Sequence, residues 1–364
     1  MEQKNFDPDG VGVDNGTYFG LPFEPETAEL VLISAPWDVT VSYGAGTAYA
    51  PDAVIEASTQ LDFHDPLAPG VWRRGIATAD VDYSLLESSQ RLRVDASRVI
   101  DHLEGGGCLE DDYVVRKVRR VNEGCAAMNA NIGAQAVRWL DAGKIVGLVG
   151  GDHSTPYGLI RALGARHEAF GILHIDAHCD LRDAYEGFEF SHASIMFNVL
   201  RDVPQVSRIA QVAVRDFSEA EAAMAASSER IATFDDLSLA AGEFRGETWD
   251  AQCRRIVGTL PAEVYVSFDI DGLSFDNCPH TGLRGALFQP GRLPDRHAGP
   301  LGPPHHRIRC GGGVPRGRRP DRRHHRGPYP VETLRAGAQI ERKIKQRISK
   351  CDCFRCIAGC ASDI

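Results

Sequence analysis

The sequence predicts an α/β protein in which a mostly parallel sheet is covered by helices on both faces. Three observations carry that expectation. Short apolar runs alternate with helical segments over residues 30–268. Runs such as residues 30–35 are short and apolar, as buried strands of a covered parallel sheet require. Aspartate and histidine follow several runs directly, and in open parallel sheets the site lies beyond the carboxyl ends of the strands.

Taken in order, residues 30–35 are an apolar run stopped by Pro36, read as a buried strand. Residues 43–47 form a glycine loop, read as a tight turn because no GxxxxGK pattern supports a phosphate cradle. A helix is expected over 52–58, with Pro51 near its first turn, and a second strand over 75–81. Residues 113–142 carry helical periodicity and stop at Gly143, a suitable C-cap. A third strand, 144–149, leads straight into Gly150-Gly151-Asp152-His153-Ser154, and a helix is expected over 155–167. The strand at 170–175 runs into Asp176-Ala177-His178-Cys179-Asp180. Strands at 209–214 and 230–234 flank an Ala-rich helix at 218–227, and the strand at 264–268 ends in Asp269-Ile270-Asp271.

A chain of 364 residues, 43% of them hydrophobic, accommodates one large or two ordinary domains. The amino-terminal stretch has no apolar segment of the signal-peptide kind, and no run approaches the roughly 20 apolar residues of a membrane span. Together with ten cysteines, this predicts reduced thiols, a cytoplasmic setting and no membrane partner. The net charge of −10 conceals a break: from Leu283 onward there are 18 Lys+Arg against 6 Asp+Glu, or +12, which leaves −22 for residues 1–282. A change of that size marks a boundary. Residues 1–282 are read as the catalytic domain and residues 283–364 as a separate tail.

His153, Asp176, His178, Asp180, Asp269 and Asp271 all stand just past expected strand ends. The segment is read as extended through residue 180, so Asp176, His178 and Asp180 share one side and converge, while His174 is expected on the other face, packed in the core. Four carboxylates and two imidazoles in one small volume need a compensating cation. Six donors exceed one tetrahedral zinc, and a carboxylate-rich set without thiolate suits a harder ion such as manganese. Two ions about 3.5 Å apart, sharing carboxylates, would engage all six and make water nucleophilic at neutral pH. The expected chemistry is hydrolysis at a planar, electron-poor carbon. A lone aspartate at a strand end is ordinarily a turn or cap residue; six donors on three strand ends are not. Cys179 is read as small filler. Asp183, Glu186 and Glu189 either attract a cationic substrate or form a solvated loop.

Gly150-Gly151-Asp152-His153-Ser154, Asp176-Ala177-His178-Cys179-Asp180 and Ser267-Phe268-Asp269-Ile270-Asp271, in that order, resemble the three signatures of the ureohydrolase family of arginases, agmatinases and formimidoylglutamases. The resemblance spans residues 30–282. It implies a three-layer α/β/α fold with two manganese ions. One ion would be held by His153, Asp176, Asp180 and Asp269, the other by Asp176, His178, Asp269 and Asp271, with Asp176 and Asp269 bridging at the centre of catalysis. His192, in Ser191-His192-Ala193-Ser194, matches the family's mobile histidine, which passes a proton to the leaving amine. Residues 180–198 look more like agmatinases than arginases. The implied activity is hydrolysis of a small cationic guanidine of the agmatine type to urea and an amine, a step of polyamine biosynthesis. Formimidoylglutamase or arginase activity is the alternative within the family, and a non-enzymatic metal- or nucleic-acid-binding remnant is the alternative outside it. Family members imply a homotrimer or homohexamer.

The family's closing elements, a strand with a guanidinium-binding glutamate and a last helix, are not found after Gly282. Residues 283–330 hold eleven Arg and no Lys. Shifted by one nucleotide, permissible codons for residues 288–299 spell SNQAAYLIDTLA, those for 305–315 spell IIGFDVVEVSP, and those for 318–327 spell DDRIDAIIG. The expectation is a frameshift near Leu283 that leaves the tail without a native fold, apart from a charged helix over 332–349. The Arg-rich stretch lacks interleaved aromatics, which argues against a nucleic-acid partner. Cys351, Cys353, Cys356 and Cys360 have the thiols for a zinc or iron–sulfur site, but lie past the stop codon of the restored frame.

Overall fold

Seven parallel strands and eight helices make up residues 6–65 and 68–274, which the computed structural model describes. The expectations for residues 283–364, including the helix at 332–349 and the cysteine cluster, lie outside these residues.

The strands are β1 (Leu30–Ala35), β2 (Ile76–Thr78), β3 (Ile145–Gly150), β4 (Phe170–Ile175), β5 (Val206–Val212), β6 (Ile231–Phe234) and β7 (Val264–Phe268). They form two parallel sheets, in the orders β2-β1-β3 and β6-β5-β4-β7. The helices are α1 (Ala50–Ser58), α2 (Tyr83–Glu104), α3 (Asp112–Asp141), α4 (Tyr157–Gly164), α5 (Ile195–Asp202), α6 (Glu219–Ser227), α7 (Asp236–Phe244) and α8 (Trp249–Val257).

Alternate residues of β1 divide the helices into two layers. Val31, Ile33 and Ala35 face a core made by α2, α3 and α4, with Leu92, Val99, Met128, Ile132 and Leu159 among its buried members. Leu30 and Leu32 face α1 through Ile55, beside Tyr18. In the second sheet Ile172 and Ile209 pack on Ile160 of α4 and on Ile195 and Val199 of α5. Ala210 and Val212 pack the other way, on Leu239 of α7 and Ile256 of α8. Each fully buried aliphatic chain contributes about 1.5–3 kcal/mol. The result is the three-layer α/β/α arrangement, with α2–α5 on one face and α1, α7 and α8 on the other.

Helix α2 was not expected from the sequence. Its buried side runs Leu85, Leu92, Ala96, Val99, Ile100, a helical spacing, but Ser89 and Asp95 are buried on the same side and dilute it. Asp82 starts it by accepting from the Ser84 N–H, and Asn131 of α3 donates to the other Asp82 oxygen at 2.9 Å. The nine-residue helices α7 and α8 were likewise unread. Helix α3 matches expectation within a residue, and Gly143 follows it with φ +73°, the left-handed turn that favours glycine.

Two features position the site. First, β1 is buried throughout, whereas every residue of β3 is half-buried. Among the described residues β3 pairs with β1 alone and β7 with β4 alone, so each sheet presents one unpaired inner edge. Second, the two sheets meet at their carboxyl ends, where His153 Nε2 lies 2.8 Å from Ser267 Oγ. The four described cysteines, Cys108, Cys125, Cys179 and Cys253, are free thiols. No helix among the described residues is long and apolar enough to cross a membrane.

Candidate metal centre

Strand β3 delivers His153 through two glycines that the packing demands. A Cβ on Gly151 would lie 1.7 Å from the Trp37 carbonyl oxygen, because the chain there hydrogen-bonds along residues 35–37. Beyond it, Asp152 accepts from the Ser154 N–H and hydroxyl and turns the backbone. His153 then points inward with its side chain 8% exposed, and Ser267 holds its Nε2. That leaves Nδ1 facing three carboxylates: Asp176 Oδ2 at 2.8 Å, Asp180 Oδ2 at 3.0 Å and Asp269 Oδ2 at 3.5 Å.

The convergence of Asp176, His178 and Asp180 is real, but strand alternation does not produce it. β4 ends at Ile175, and Asp180 has φ +54°, a left-handed conformation that aspartate tolerates better than most residues. That turn brings its carboxylate back to His153. The Asp180 carbonyl accepts from the Met196 and Phe197 N–H groups, which ties the loop to α5. The expectation for His174 is corrected as well. It is buried in the core, but on the same side as Asp176, with Nε2 2.9 Å from Asp176 Oδ2. A two-residue period puts residues 174 and 176 on one face, so the sequence itself carried the answer.

The third group comes from the turn after β7. Asp269 Oδ1 accepts from the Asp271 N–H, and Asp271 Oδ1 accepts from the Ala177 N–H at 3.1 Å. Asp271 Oδ2 is 3.1 Å from His178 Nδ1, while Asp176 Oδ1 is 3.4 Å from the same atom. A Cβ on Gly272 would stand 2.9 Å from the Asp176 backbone nitrogen, so this turn can approach β4 only as glycine. Arg215, beyond β5, donates to the carbonyls of Asp271, Gly272 and Leu273 and clamps the turn. Sequence reasoning missed Arg215, which acts on backbone 56 residues away and belongs to no ligand-like pattern.

All six sequence-designated donors therefore lie in one place. Two compact groups stand out: His153, His174, Asp176 and Asp180, and Asp176, His178 and Asp271. The electrostatics of the set call for positive charge. Burial, followed by the charges of Asp271 and Asp176, holds the Asp269 carboxyl well above its usual range. Burial and then Asp176 push Asp180 up. Asp176 itself, despite burial, is pulled well below the carboxylate range by His174 and His153. Burial opposes it, yet His153 is driven well above the imidazole range by Asp176 and Asp180, and His178 reaches about 11 through Asp176 and Asp271. His153 Nδ1 nonetheless makes no aligned hydrogen bond, although three carboxylates lie within 3.5 Å. A buried nitrogen lone pair amid carboxylate oxygens fits a cation better than a shared proton.

His192 stands beside this cluster. Its N–H donates to Thr40 Oγ1 at 3.1 Å, and its Nδ1 is 3.5 Å from the same hydroxyl, which also reaches Asp152 Oδ2 at 3.4 Å. The Tyr185 ring lies edge-on to it. Burial, then the charges of His178 and His153, bring His192 down to about 4, so it is a neutral imidazole at neutral pH.

Of the acidic loop residues, Asp183 and Glu189 are exposed and Glu186 is half-buried with one carboxylate oxygen, Oε2, lacking a partner. Burial and then Glu104 push its carboxyl up to about 7 against Arg93 and Arg182. The folded chain thus keeps a proton that the unfolded chain loses near pH 4.5, and stability falls as pH rises from there through 7. Glu186→Gln removes that dependence. After discounting for its half-exposed position, we expect the variant to be about 1 kcal/mol more stable than the parent at pH 8 and equal to it at pH 4. Thermal melts at the two pH values check it, and equal melting at both would dismiss it.

Comparison with known proteins agrees with this geometry. Residues 28–286 match the arginase family. An N(1)-aminopropylagmatine ureohydrolase of Thermus thermophilus is 28% identical over 265 residues, covering 72% of this chain and 74% of that protein. An agmatinase of Cronobacter sakazakii is 26% identical over 266 residues, covering 72% and 71%. Among solved structures, a formiminoglutamase variant of Trypanosoma cruzi with Mn2+ superposes with a TM-score of 0.53 at 17% identity, covering 75% of this chain and 79% of that one.

Proposed function

This chain belongs to the arginase family, and from that premise we propose that it is a manganese-dependent ureohydrolase of the agmatinase type, which splits a small cationic guanidine into urea and an amine. The observation that carries the reading is the meeting of six donors from β3, the loop after β4 and the turn after β7, with both histidines presenting Nδ1 to carboxylates. The relatives named for agmatine and aminopropylagmatine support the substrate class. So does the charge of −22 over residues 1–282, which favours a cationic substrate.

In this reading His153, Asp176, Asp180 and Asp269 would hold one ion, and Asp176, His178, Asp269 and Asp271 would hold the other. The donor set is dominated by carboxylates and has no thiolate, which suits manganese over zinc. When bound, two such ions supply Lewis acidity and lower the pKa of water. The rest falls to the chain itself. Asp176 and Asp180, 1% and 4% exposed, are themselves shielded from bulk water. His192, buried beside the donors, would pass a proton to the departing amine. His192→Asn should lower kcat by about 10²–10⁴-fold while manganese content stays at the parental level. Unchanged turnover would remove His192 from the proton path.

Urea and amine release from agmatine, N(1)-aminopropylagmatine and arginine, and formamide release from formimidoylglutamate, test the reading on manganese-loaded protein. The measurement is made on this chain and on a version whose tail is restored to the adjacent frame. Urea from agmatine or its aminopropyl derivative supports it; formamide instead moves the assignment to formimidoylglutamase; no urea from any guanidine in either version overturns it.

We also retain the frameshift near Leu283 as a proposal. The family match ends at residue 286, next to the charge break, and supports it. The gene's nucleotides decide it: if the adjacent frame cannot encode a strand with a glutamate, the proposal is withdrawn.

A further inference from the structure

Beneath the donors runs a transverse row of polar side chains across the second sheet. The strand register aligns Ser267 of β7, His174 of β4, Gln211 of β5 and Thr233 of β6. Three of the four are fully or almost fully buried, with His174 and Gln211 0% exposed and Ser267 2%. A polar group placed there needs partners, and each of these has them. Ser267 bonds His153 Nε2. Thr233 Oγ1 donates to Gln211 Oε1 at 3.3 Å, which fixes the orientation of that amide. Gln211 Nε2 then donates to the Cys179 carbonyl at 2.7 Å, in the donor loop itself, and stands 3.5 Å from His174 Nδ1. An amide N–H facing Nδ1 makes that nitrogen the acceptor of the imidazole, so the ring proton sits on Nε2 and points at Asp176 Oδ2, 2.9 Å away.

We propose that His174 and Gln211 are positioning residues: His174 lends its Nε2–H to hold the Asp176 carboxylate, and Gln211 holds both His174 and the loop that carries His178 and Asp180. The proposal rests on the metal reading of the site. It differs from the simplest view of the cluster, in which His174 is itself a donor to the ion. A group that orients a carboxylate ligand tunes affinity, typically by 10–100-fold, without changing how many ions bind.

Manganese binding measured by equilibrium dialysis, with metal analysis and the Mn2+ electron paramagnetic resonance signal, separates the possibilities. We expect His174→Leu and Gln211→Leu each to weaken binding of the tighter ion by about 10–100-fold with two ions per chain retained at saturation. His174→Gln places an amide N–H where the ring offered one and should stay within a few-fold of the parent. Thr233→Val, at the edge of the sheet, folds whatever happens to the buried variants and should weaken binding in the same direction, by a few-fold. If His174→Leu and His174→Gln both drop the count to one ion, His174 is a ligand and the proposal fails. Gln211→Leu and Thr233→Val that bind like the parent also overturn it. A parent chain that binds no divalent ion sinks the metal reading, and this proposal with it.

Discussion

Asp176→Asn should reduce urea release by about 10³-fold or more, because it removes the carboxylate on which both groups of donors converge. Asp176 Oδ2 faces His153 Nδ1 and His174 Nε2, while Oδ1 accepts the His178 N–H at 2.7 Å and lies near His178 Nδ1. Asparagine can keep the Oδ1 contact to backbone. Its amide cannot match the charge, and an N–H in place of Oδ2 would face the His174 donor. On the proposed two-ion reading Asp176 is a shared ligand, and its loss would forfeit several kcal/mol of transition-state stabilisation, three orders of magnitude or more in rate. The burial of Asp176 leaves no room for water to substitute. Colorimetric urea assay and metal analysis of the variant check this, with circular dichroism to establish that it folds. A variant that keeps a tenth of parental activity would contradict the two-ion reading.

Adding manganese to chelator-treated protein should raise its melting temperature by roughly 10 °C. An ion at about 1,000 times its dissociation constant stabilises the native state by about 4 kcal/mol, and a domain of this size gains some 2–4 °C per kcal/mol. The physical reason lies in the division of the donors. His153 belongs to the β2-β1-β3 sheet and the other five to the β6-β5-β4-β7 sheet. An ion bound among them joins two sheets that share no strand pairing among the described residues. It also offsets the burial, and then the neighbouring carboxylate charge, that hold Asp269 and Asp180 above their usual range. A calorimetric scan with and without manganese reads the effect, and the same scan on Asp176→Asn should show most of it gone. Equal melting of the parent with and without metal would count against the site.

Most strands were legible as short, mainly apolar runs, and β1, β4 and β7 lie where expected to the residue. The positions of the six donors followed from those strand ends. How they converge did not. Asp180 turns through a left-handed φ that no pattern of residue types announces, and the backbone approaches that require Gly151 and Gly272 depend on Trp37 and Asp176, far away in sequence. His174 was placed on the wrong face although the period was available. Gln211 and Arg215 could not be read at all: one lies near the end of β5 and works through a neighbouring strand and loop, and the other acts through carbonyl groups contributed by a turn in another part of the chain. Helix α2 shows a related limit, since Ser89 and Asp95 are polar residues spent on its buried side. Ser89 bonds Asp38 there, a partner that lies 51 residues upstream.

The inner edges of β3 and β7 have a consequence for the protein in solution. Among the described residues each edge offers a row of backbone N–H and C=O groups, along six residues in β3 and five in β7. Another copy of the chain carries the same two edges. Pairing between copies grows with the square of concentration, whereas closing an edge within one copy does not depend on concentration at all. Wherever nothing beyond the described residues covers these edges, dilution favours separate chains and crowding favours chains laid edge to edge.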